Sequence, residues 1–367
     1  MSFRCGIVGL PNVGKSTLFN ALTSSQKAEA SNYPFCTIEP NFGTVIVPDK
    51  RLEDLNEIYN PKKVVPSTID FVDIAGLVRG ASKGEGLGNQ FLSHIREVDA
   101  IIHIVRCFED ENIAHISESI DPMNDIEIVE TELILKDIET LEKRLEKVKK
   151  SVRVGDKSAK AELDLLEKLN SHLSSSRLAK YFFNTLHEDE RKLISGLNLL
   201  TDKPILYVSN VDDKSINGND YSNIVKEIAE KENAKFLILS VEMEFEIALL
   251  EDEEERNDFL KEMGLEVSGL NRLIKEGYSL LNLITFFTAN ENELHSRTIP
   301  DGFKTIQAAG KIHTDFEKGF IKAEIIKYEN LIKHKSEHAL REKGLISVEG
   351  KDYVIKDGEI VFYRFNV

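Results

Sequence analysis

The sequence is poor in cysteine and has no long apolar segment. Its three cysteines, Cys5, Cys36 and Cys107, form no C-x-x-C pair, which argues against a disulfide framework or a zinc site and is typical of a reducing compartment. No apolar run reaches the roughly 18 residues that a membrane span needs, and the first residues favour a strand rather than a signal peptide. We therefore expect a cytoplasmic protein without a membrane partner.

The charge of the chain is strongly negative overall but positive in one segment. A net charge of −16 over 367 residues disfavours general affinity for nucleic acid, and we expect no sequence-specific DNA binding. Residues 143–160 nevertheless contain eight Lys and Arg against one Glu and one Asp, a local charge of +6. A solvated helix surface is the more frequent explanation of such a run, and a contact with a polyanion is the alternative.

The sequence at 9–17 matches the phosphate-binding pattern G-x-x-x-x-G-K-S. A short apolar, β-branched segment precedes it and helix-favouring residues follow it, which is the strand–loop–helix context that this motif requires. Glycines let the loop turn its N–H groups toward phosphate oxygens, Lys15 would reach the β- and γ-phosphates, and Ser16 would bind Mg²⁺. The residues predicted to bind a nucleoside triphosphate here are Asn12, Val13, Gly14, Lys15, Ser16 and Thr17.

Two later segments have the features of nucleotide switches. Thr37 lies between two prolines in a polar loop, where it could complete the Mg²⁺ shell, although an ordinary loop threonine is the alternative. The D-x-x-G sequence from Asp73 to Gly76 follows a predicted strand, so Asp73 could hold Mg²⁺ through water. The N–H of Gly76 could bind the γ-phosphate. The predicted metal ligands are Ser16, Thr37 and Asp73.

The residue after this motif is unusual for a switch. Small and Gα GTPases have a water-orienting glutamine there, whereas this chain has Leu77, so hydrolysis is slow or another group supplies the function. His115, in a polar loop, is a candidate for that role, and an exposed histidine without a role is the alternative. His103 lies within a predicted strand and is interpreted as a core histidine.

A further motif follows the predicted strand at 204–209. Asn210 and Asp213 match the base-reading pattern Asn-Lys-x-Asp, but Val211 replaces the lysine that packs along the base. Asp213 could accept hydrogen bonds from guanine, whereas Val211 weakens that interpretation. Asn210, Val211 and Asp213 are predicted to contact the nucleotide, and the identity of the base remains open.

The remaining patterns predict the architecture. Apolar residues spaced by four and three predict a long helix over 126–148, and Gly155-Asp156 separates it from a returning helix. The simplest arrangement is an antiparallel helical insertion at about 126–200 in an α/β domain, either a contact arm or a solvated strut. After residue 280 the pattern becomes strand-rich. We predict one domain at 1–280 and a small β-rich domain at 281–367.

Together these motifs resemble one family, the YchF or Obg-like ATPases, over essentially the whole chain. The segments that carry the resemblance are 9–17, 32–41, 73–78, 85–90, 210–213 and 307–320, the last typical of the family's TGS domain. The resemblance implies a P-loop NTPase G domain of the α/β class with an inserted α-helical coiled-coil arm and a C-terminal β-rich TGS domain.

The resemblance also implies an activity. It implies an ATPase switch that prefers ATP to GTP, uses Mg²⁺, binds ribosomes and acts in translation or stress responses; we expect a monomer. It implies that Asn12 helps bind K⁺ and that His115 is catalytic, so we count Asn12, Gly76 and His115 as the catalytic set. Asp213 stands where the family has Glu, and Arg297 where many members have Trp.

Two alternatives to this activity come from the residues themselves. The first is a GTP-specific GTPase, because Asp213 can pair with guanine. The second is a nucleotide-gated scaffold in which hydrolysis is incidental and the arm and C-terminal domain are the working surfaces. A metabolic kinase is disfavoured, because the D-x-x-G and Asn210 motifs have the logic of a switch.

Overall fold

The computed structural model describes residues 3–30, 38–39, 41–74, 96–110, 119–250 and 252–366. The strands described are β1 (Arg4–Val8), β2 (Ile38–Glu39), β3 (Phe42–Ile46), β4 (Lys63–Val65), β5 (Thr68–Asp73), β6 (Ala100–Arg106), β7 (Ile205–Asn210), β8 (Lys235–Leu239), β9 (Leu283–Ala289), β10 (Glu293–Pro300), β11 (Phe320–Ile326), β12 (Ile346–Glu349) and β13 (Ile360–Phe365).

The first helix begins at Lys15, within the segment 9–17. Those described are α1 (Lys15–Ala30), α2 (Lys50–Tyr59), α3 (Pro122–Arg153), α4 (Lys157–Ser174), α5 (Ala179–Phe183), α6 (Glu188–Ile194), α7 (Asp220–Lys231), α8 (Val241–Leu249), α9 (Glu253–Glu262), α10 (Gly269–Leu280), α11 (Thr305–Ile312), α12 (Thr314–Lys318), α13 (Tyr328–His334) and α14 (Glu337–Glu342). None of these helices combines the length and hydrophobicity needed to cross a lipid bilayer.

The first sheet confirms the α/β class. Its described strands run in the order β2-β3-β5-β1-β6-β7-β8, and the five from β5 to β8 are parallel. Their apolar, β-branched residues are buried, as expected for parallel strands covered on both faces. Because parallel strands end at the same edge, the sheet places the residues after β5, β1 and β7 along one edge, with β6 between β1 and β7.

The predicted helical insertion corresponds to an antiparallel pair, α3 and α4. Helix α3 begins at Pro122, after the Asp121 N-cap and four residues before the predicted start, and a turn at Gly155 with φ +89° leads into α4. Leucines spaced by three and four pack between the two helices, and Arg144 pairs with Glu162 at 2.6 Å. The apolar spacing therefore found both helices but not their full length.

Asp137 of α3 connects the helix pair to the segment that follows it in the chain. This buried carboxylate accepts hydrogen bonds from the N–H groups of Leu200 and Thr201 at 2.7 and 2.9 Å and from the Thr201 hydroxyl at 2.7 Å. The chain returns to the first sheet at this point, where β7 starts five residues after Leu200. One carboxylate thus joins the outgoing and returning ends of the insertion.

The second sheet recruits a segment from the first half of the chain. Its described strands run in the order β12-β11-β13-β9-β10-β4, and β4 pairs in parallel with β10. Helix α2 packs there too, with Leu52 and Leu55 buried against Phe287, Leu331 and Leu340. The sequence patterns did not predict that α2 and β4 join the second sheet. Both elements are short and amphipathic, and such a pattern does not indicate which sheet an element packs against. The division at residue 280 stays a prediction.

Leu55→Ala should therefore loosen the C-terminal sheet. Leu55 is fully buried, and removing its side chain is expected to cost about 2–5 kcal/mol. We expect faster amide hydrogen exchange in β11 as well as in α2. Glu57→Ala, on the exposed side of α2, is the control and should change neither. Unchanged exchange in β11 of the Leu55 variant would contradict the shared core.

Candidate functional site

The loop between β1 and α1 needs both of its glycines. A Cβ at Gly9 would lie 2.5 Å from the carbonyl oxygen of Ile104, and one at Gly14 would lie 2.5 Å from Nδ2 of Asn210. Gly14 also has φ +99°, in the region that favours glycine. Asn12 is exposed on the loop with φ 62°. The loop is thus held against β6 and β7 in a shape that larger residues could not adopt.

Lys15 is a buried cation within this loop. Its side chain is 6% exposed, and Nζ donates a hydrogen bond to the carbonyl oxygen of Leu10 at 2.5 Å. Burial lowers the pKa of Lys15 to about 8, although the charge of Asp73 opposes the shift. Because burial disfavours the charged form of Lys15, a nearby anion would stabilise that form strongly.

His103 lies in the core of β6, as predicted. It is 3% exposed, and burial followed by the charge of Lys15 lowers its pKa to about 3. The ring is therefore neutral and packs against Tyr207 on β7, with 5.4 Å between the ring centroids.

Ser16 and Asp73 meet where α1 begins and β5 ends. Ser16 Oγ donates to Asp73 Oδ2 at 3.1 Å, and Asp73 Oδ1 is buried with no hydrogen-bond partner among the described residues. Burial raises the pKa of Asp73, while the hydrogen bond from Ser16 and the charge of Lys15 oppose this. An unsatisfied carboxylate oxygen beside a hydroxyl suits a hard divalent cation such as Mg²⁺, which takes few protein ligands. These two of the three predicted metal ligands are therefore brought together.

Asn210 connects the loop to the far end of the sheet. Its Nδ2 donates to the carbonyl oxygen of Val13 at 3.0 Å, and its Oδ1 accepts from the N–H of Val241 at 3.0 Å. The residue is 4% exposed. The predicted base-reading asparagine therefore shapes the site from within the protein.

The other two residues of the base motif differ in exposure. The Val211 side chain is 2% exposed and belongs to the core, so it is not on the surface beside the loop. Asp213 is exposed, and its Oδ1 accepts a hydrogen bond from Ser240 Oγ at 2.5 Å. Ser240 was not predicted, although its position between β8 and α8, as the N-cap of α8, was the available signal.

Some predicted residues cannot be placed in the site. Thr37, Gly76 and His115, together with Leu77, lie outside the described residues. Thr17 is exposed in the first turn of α1. The described site therefore consists of the phosphate-binding loop, the Ser16–Asp73 pair and the Asn210–Asp213 segment.

Known proteins resemble the chain along its whole length. A family model described as 50S ribosome-binding GTPase matches residues 4–152, and the YchF-GTPase C-terminal model, described as a protein of unknown function, matches 283–366. The ribosome-binding ATPase YchF of Escherichia coli O157:H7 is 52% identical over 367 residues and that of Bacillus subtilis 51% over 370, each covering 100% of both chains. The Schizosaccharomyces pombe YchF GTPase structure has a TM-score of 0.87 at 39% identity, covering 99% of this chain and 98% of that one.

Because Lys15 is buried, we expect triphosphate binding to be coupled to the uptake of protons. With a pKa of about 8 in the free protein, half of the Lys15 amines are neutral at that pH, and a bound triphosphate should reprotonate them. We expect uptake of about half a proton per nucleotide at pH 8 and weaker binding as the pH rises further. Calorimetric titration in buffers of different ionisation enthalpy measures this uptake. Uptake near zero at pH 8 would contradict the lowered pKa.

Proposed function

The chain belongs to the YchF family of ribosome-binding ATPases, and from this premise we propose that it is a switch that hydrolyses nucleoside triphosphates, ATP in preference to GTP, and acts on the ribosome. The observation that carries the proposal is the grouping of Lys15, Ser16 and Asp73 where β1 and β5 end. Triphosphate binding with Mg²⁺ requires a cation for the phosphates and a hydroxyl and a carboxylate for the metal ion.

The roles of the described residues follow from their chemistry. Lys15 would exchange its bond to Leu10 for phosphate oxygens, which stabilises the ammonium in its buried position. The N–H groups of the loop and the N-terminus of α1 would bind the remaining phosphate charge. Ser16 and Asp73 would hold Mg²⁺, which neutralises charge on the phosphates when bound. Thr37 would complete this metal site and Gly76 would bind the γ-phosphate.

The attacking water needs a positioning group other than residue 77. Leu77 has no polar atom, so we propose that His115 orients the water and that Asn12 helps bind K⁺ beside the phosphates. The support for Asn12 is its exposed position in the loop, where its φ is 62°. Asn12, Gly76 and His115 would then act together on the γ-phosphate.

Base preference depends on the exposed end of the site. A carboxylate accepts hydrogen bonds and donates none, so Asp213 matches the two neighbouring donors of guanine and only the amino group of adenine. Burial of Val211 leaves the base without the alkyl stem of a lysine to pack on. The GTP-specific alternative therefore rests on Asp213, while the family relationship supports ATP.

We expect tighter binding of ATP than of GTP. Asp213→Asn should weaken GTP binding by about 10–100-fold, because a charged acceptor is lost, and should change ATP binding much less. Asp212→Asn, at an adjacent exposed carboxylate, is the control with the same charge change. Titration with both nucleotides measures these affinities. Equal or tighter binding of GTP to the native protein would contradict the ATP assignment.

The tip of the helix pair is the proposed ribosome contact. Arg144 and Lys149 pair with Glu162 and Glu167 of α4. Lys147 and Lys150 are exposed, three residues apart on the same helix face, and have no ion pair within the described part of the chain. Cations that the protein leaves unmatched suit the phosphates of ribosomal RNA. A cytoplasmic monomer that docks through this arm and the predicted TGS domain fits these features, and the scaffold alternative uses the same surfaces.

Charge reversal tests this contact. Lys147→Glu with Lys150→Glu should reduce co-sedimentation with ribosomes by about tenfold or more at physiological salt, because two phosphate contacts become repulsive. Lys226→Glu with Lys275→Glu makes the same change in net charge on exposed residues of the first domain and should leave co-sedimentation nearly unchanged. Equal losses in both variants would mean that only the net charge matters.

A further inference from the structure

Four polar side chains meet at the base of the helix pair and form what we call the root cluster: Glu130, Lys180, Tyr207 and Glu232. Glu130 lies on α3, Lys180 on α5, Tyr207 on β7 and Glu232 at the end of α7. The Tyr207 hydroxyl lies 3.0 Å from Glu130 Oε1 and 3.0 Å from Glu232 Oε2. The cluster thus joins the helix pair to the first sheet and to α7.

The hydrogen count of this cluster is the central observation. A phenol has one hydrogen and can donate it to only one of the two carboxyl groups. Tyr207 is fully buried, and a carboxyl group that donates to the phenol oxygen would satisfy its second short contact. A carboxylate has no hydrogen to donate. A proton on one of the two glutamates supplies the second hydrogen, so that each contact has a hydrogen bond of its own.

The surrounding charges identify which glutamate holds the proton. Lys180 Nζ lies 2.8 Å from Glu232 Oε2, and both side chains are mostly buried, so Glu232 is the ionised member. Burial, followed by the charge of Glu232, raises the pKa of Glu130 to about 8, while Tyr207 and Lys180 oppose the shift. Tyr181 also faces the cluster, and His103 beside Tyr207 is neutral.

We infer that Glu130 is protonated at neutral pH, donates to the Tyr207–Glu232 pair, and thereby holds α3 against the first sheet, so that loss of this proton to solvent at alkaline pH loosens the base of the helix pair. With both carboxylates charged, one phenol hydrogen and one ammonium face two anions in a partly buried site. The hydrogen bond that α3 then loses is one of its links to β7 and α7, beside the apolar packing of Val129 and Leu133 in the same core.

The sign of the pH effect follows from the raised pKa. The stabilisation from protonated Glu130 is fully present below its ordinary pKa of 4.5. It is lost as the pH rises from there to the folded-state pKa of about 8. The unfolding equilibrium constant should rise about tenfold for each pH unit between about 5 and 8 from this group alone. Glu130→Gln carries a permanent amide donor and should lack this component of the pH dependence.

The experiment compares the native protein with Glu130→Gln and with Glu127→Gln, an exposed residue one turn earlier on α3. Infrared spectra at pH 7 should contain a protonated carboxylic acid band that is missing from Glu130→Gln and retained in Glu127→Gln. Hydrogen exchange measured at pH 9 should be at least about tenfold faster in α3 of the native protein than of Glu130→Gln. Comparison at one pH cancels the chemical exchange rate.

The same measurements define failure. An infrared band unaffected by Glu130→Gln, or parallel pH profiles of stability for the native and Glu130→Gln proteins, would overturn the inference. Glu232→Gln provides a second test if Glu130→Gln does not fold: without the neighbouring charge, the carboxylic acid band should titrate at a lower pH. A band that titrates at the native pH in Glu232→Gln would equally overturn it.

Discussion

The side-chain amide of Asn210 is the interaction on which the site most depends. It binds the carbonyl oxygen of Val13 in the phosphate-binding loop and the N–H of Val241 at the start of α8. Nδ2 of this asparagine occupies the space that a Cβ at position 14 would need, so a glycine is required there. A residue whose motif is associated with reading the base thus also sets the shape of the loop predicted to bind the phosphates. Both ends of the nucleotide site consequently share one buried hydrogen-bonded group.

Two charged groups of the candidate site are largely removed from water. Lys15 is almost fully buried, and one oxygen of Asp73 has no partner within the described structure. Burial moves both pKa values toward the uncharged forms, which is the free-energy cost of keeping these charges out of water. In the proposed function, a triphosphate would bring negative charge to Lys15 and its Mg²⁺ would bring positive charge to Asp73. Ligands of opposite charge would therefore stabilise the charged forms of both groups.

Much of this arrangement could be predicted from the sequence, because the motifs are local. The loop at 9–17, Asp73 and Asn210 each follow an apolar strand, and parallel strands bring such positions together. What could not be predicted depends on contacts between distant segments. Leu55 of α2 packs in the second sheet, 230 or so residues away along the chain from Phe287, and no periodicity within α2 indicates its partner. Ser240 and the burial of Val211 likewise follow only from the packing of β7, β8 and α8.

The same limit applies to the orientation of the helix pair. Leucines at helical spacing drive α3 and α4 together, but such contacts tolerate small rotations and do not define how the pair is mounted on the sheet. Val129 and Leu133 of α3 pack in the core of the first sheet, and Asp137 and the root cluster add contacts that require particular atoms at particular distances. Tyr207 of that cluster lies three residues before Asn210 on β7. The strand that shapes the nucleotide site is therefore also the strand that orients the helix pair, which provides a direct structural connection between the two.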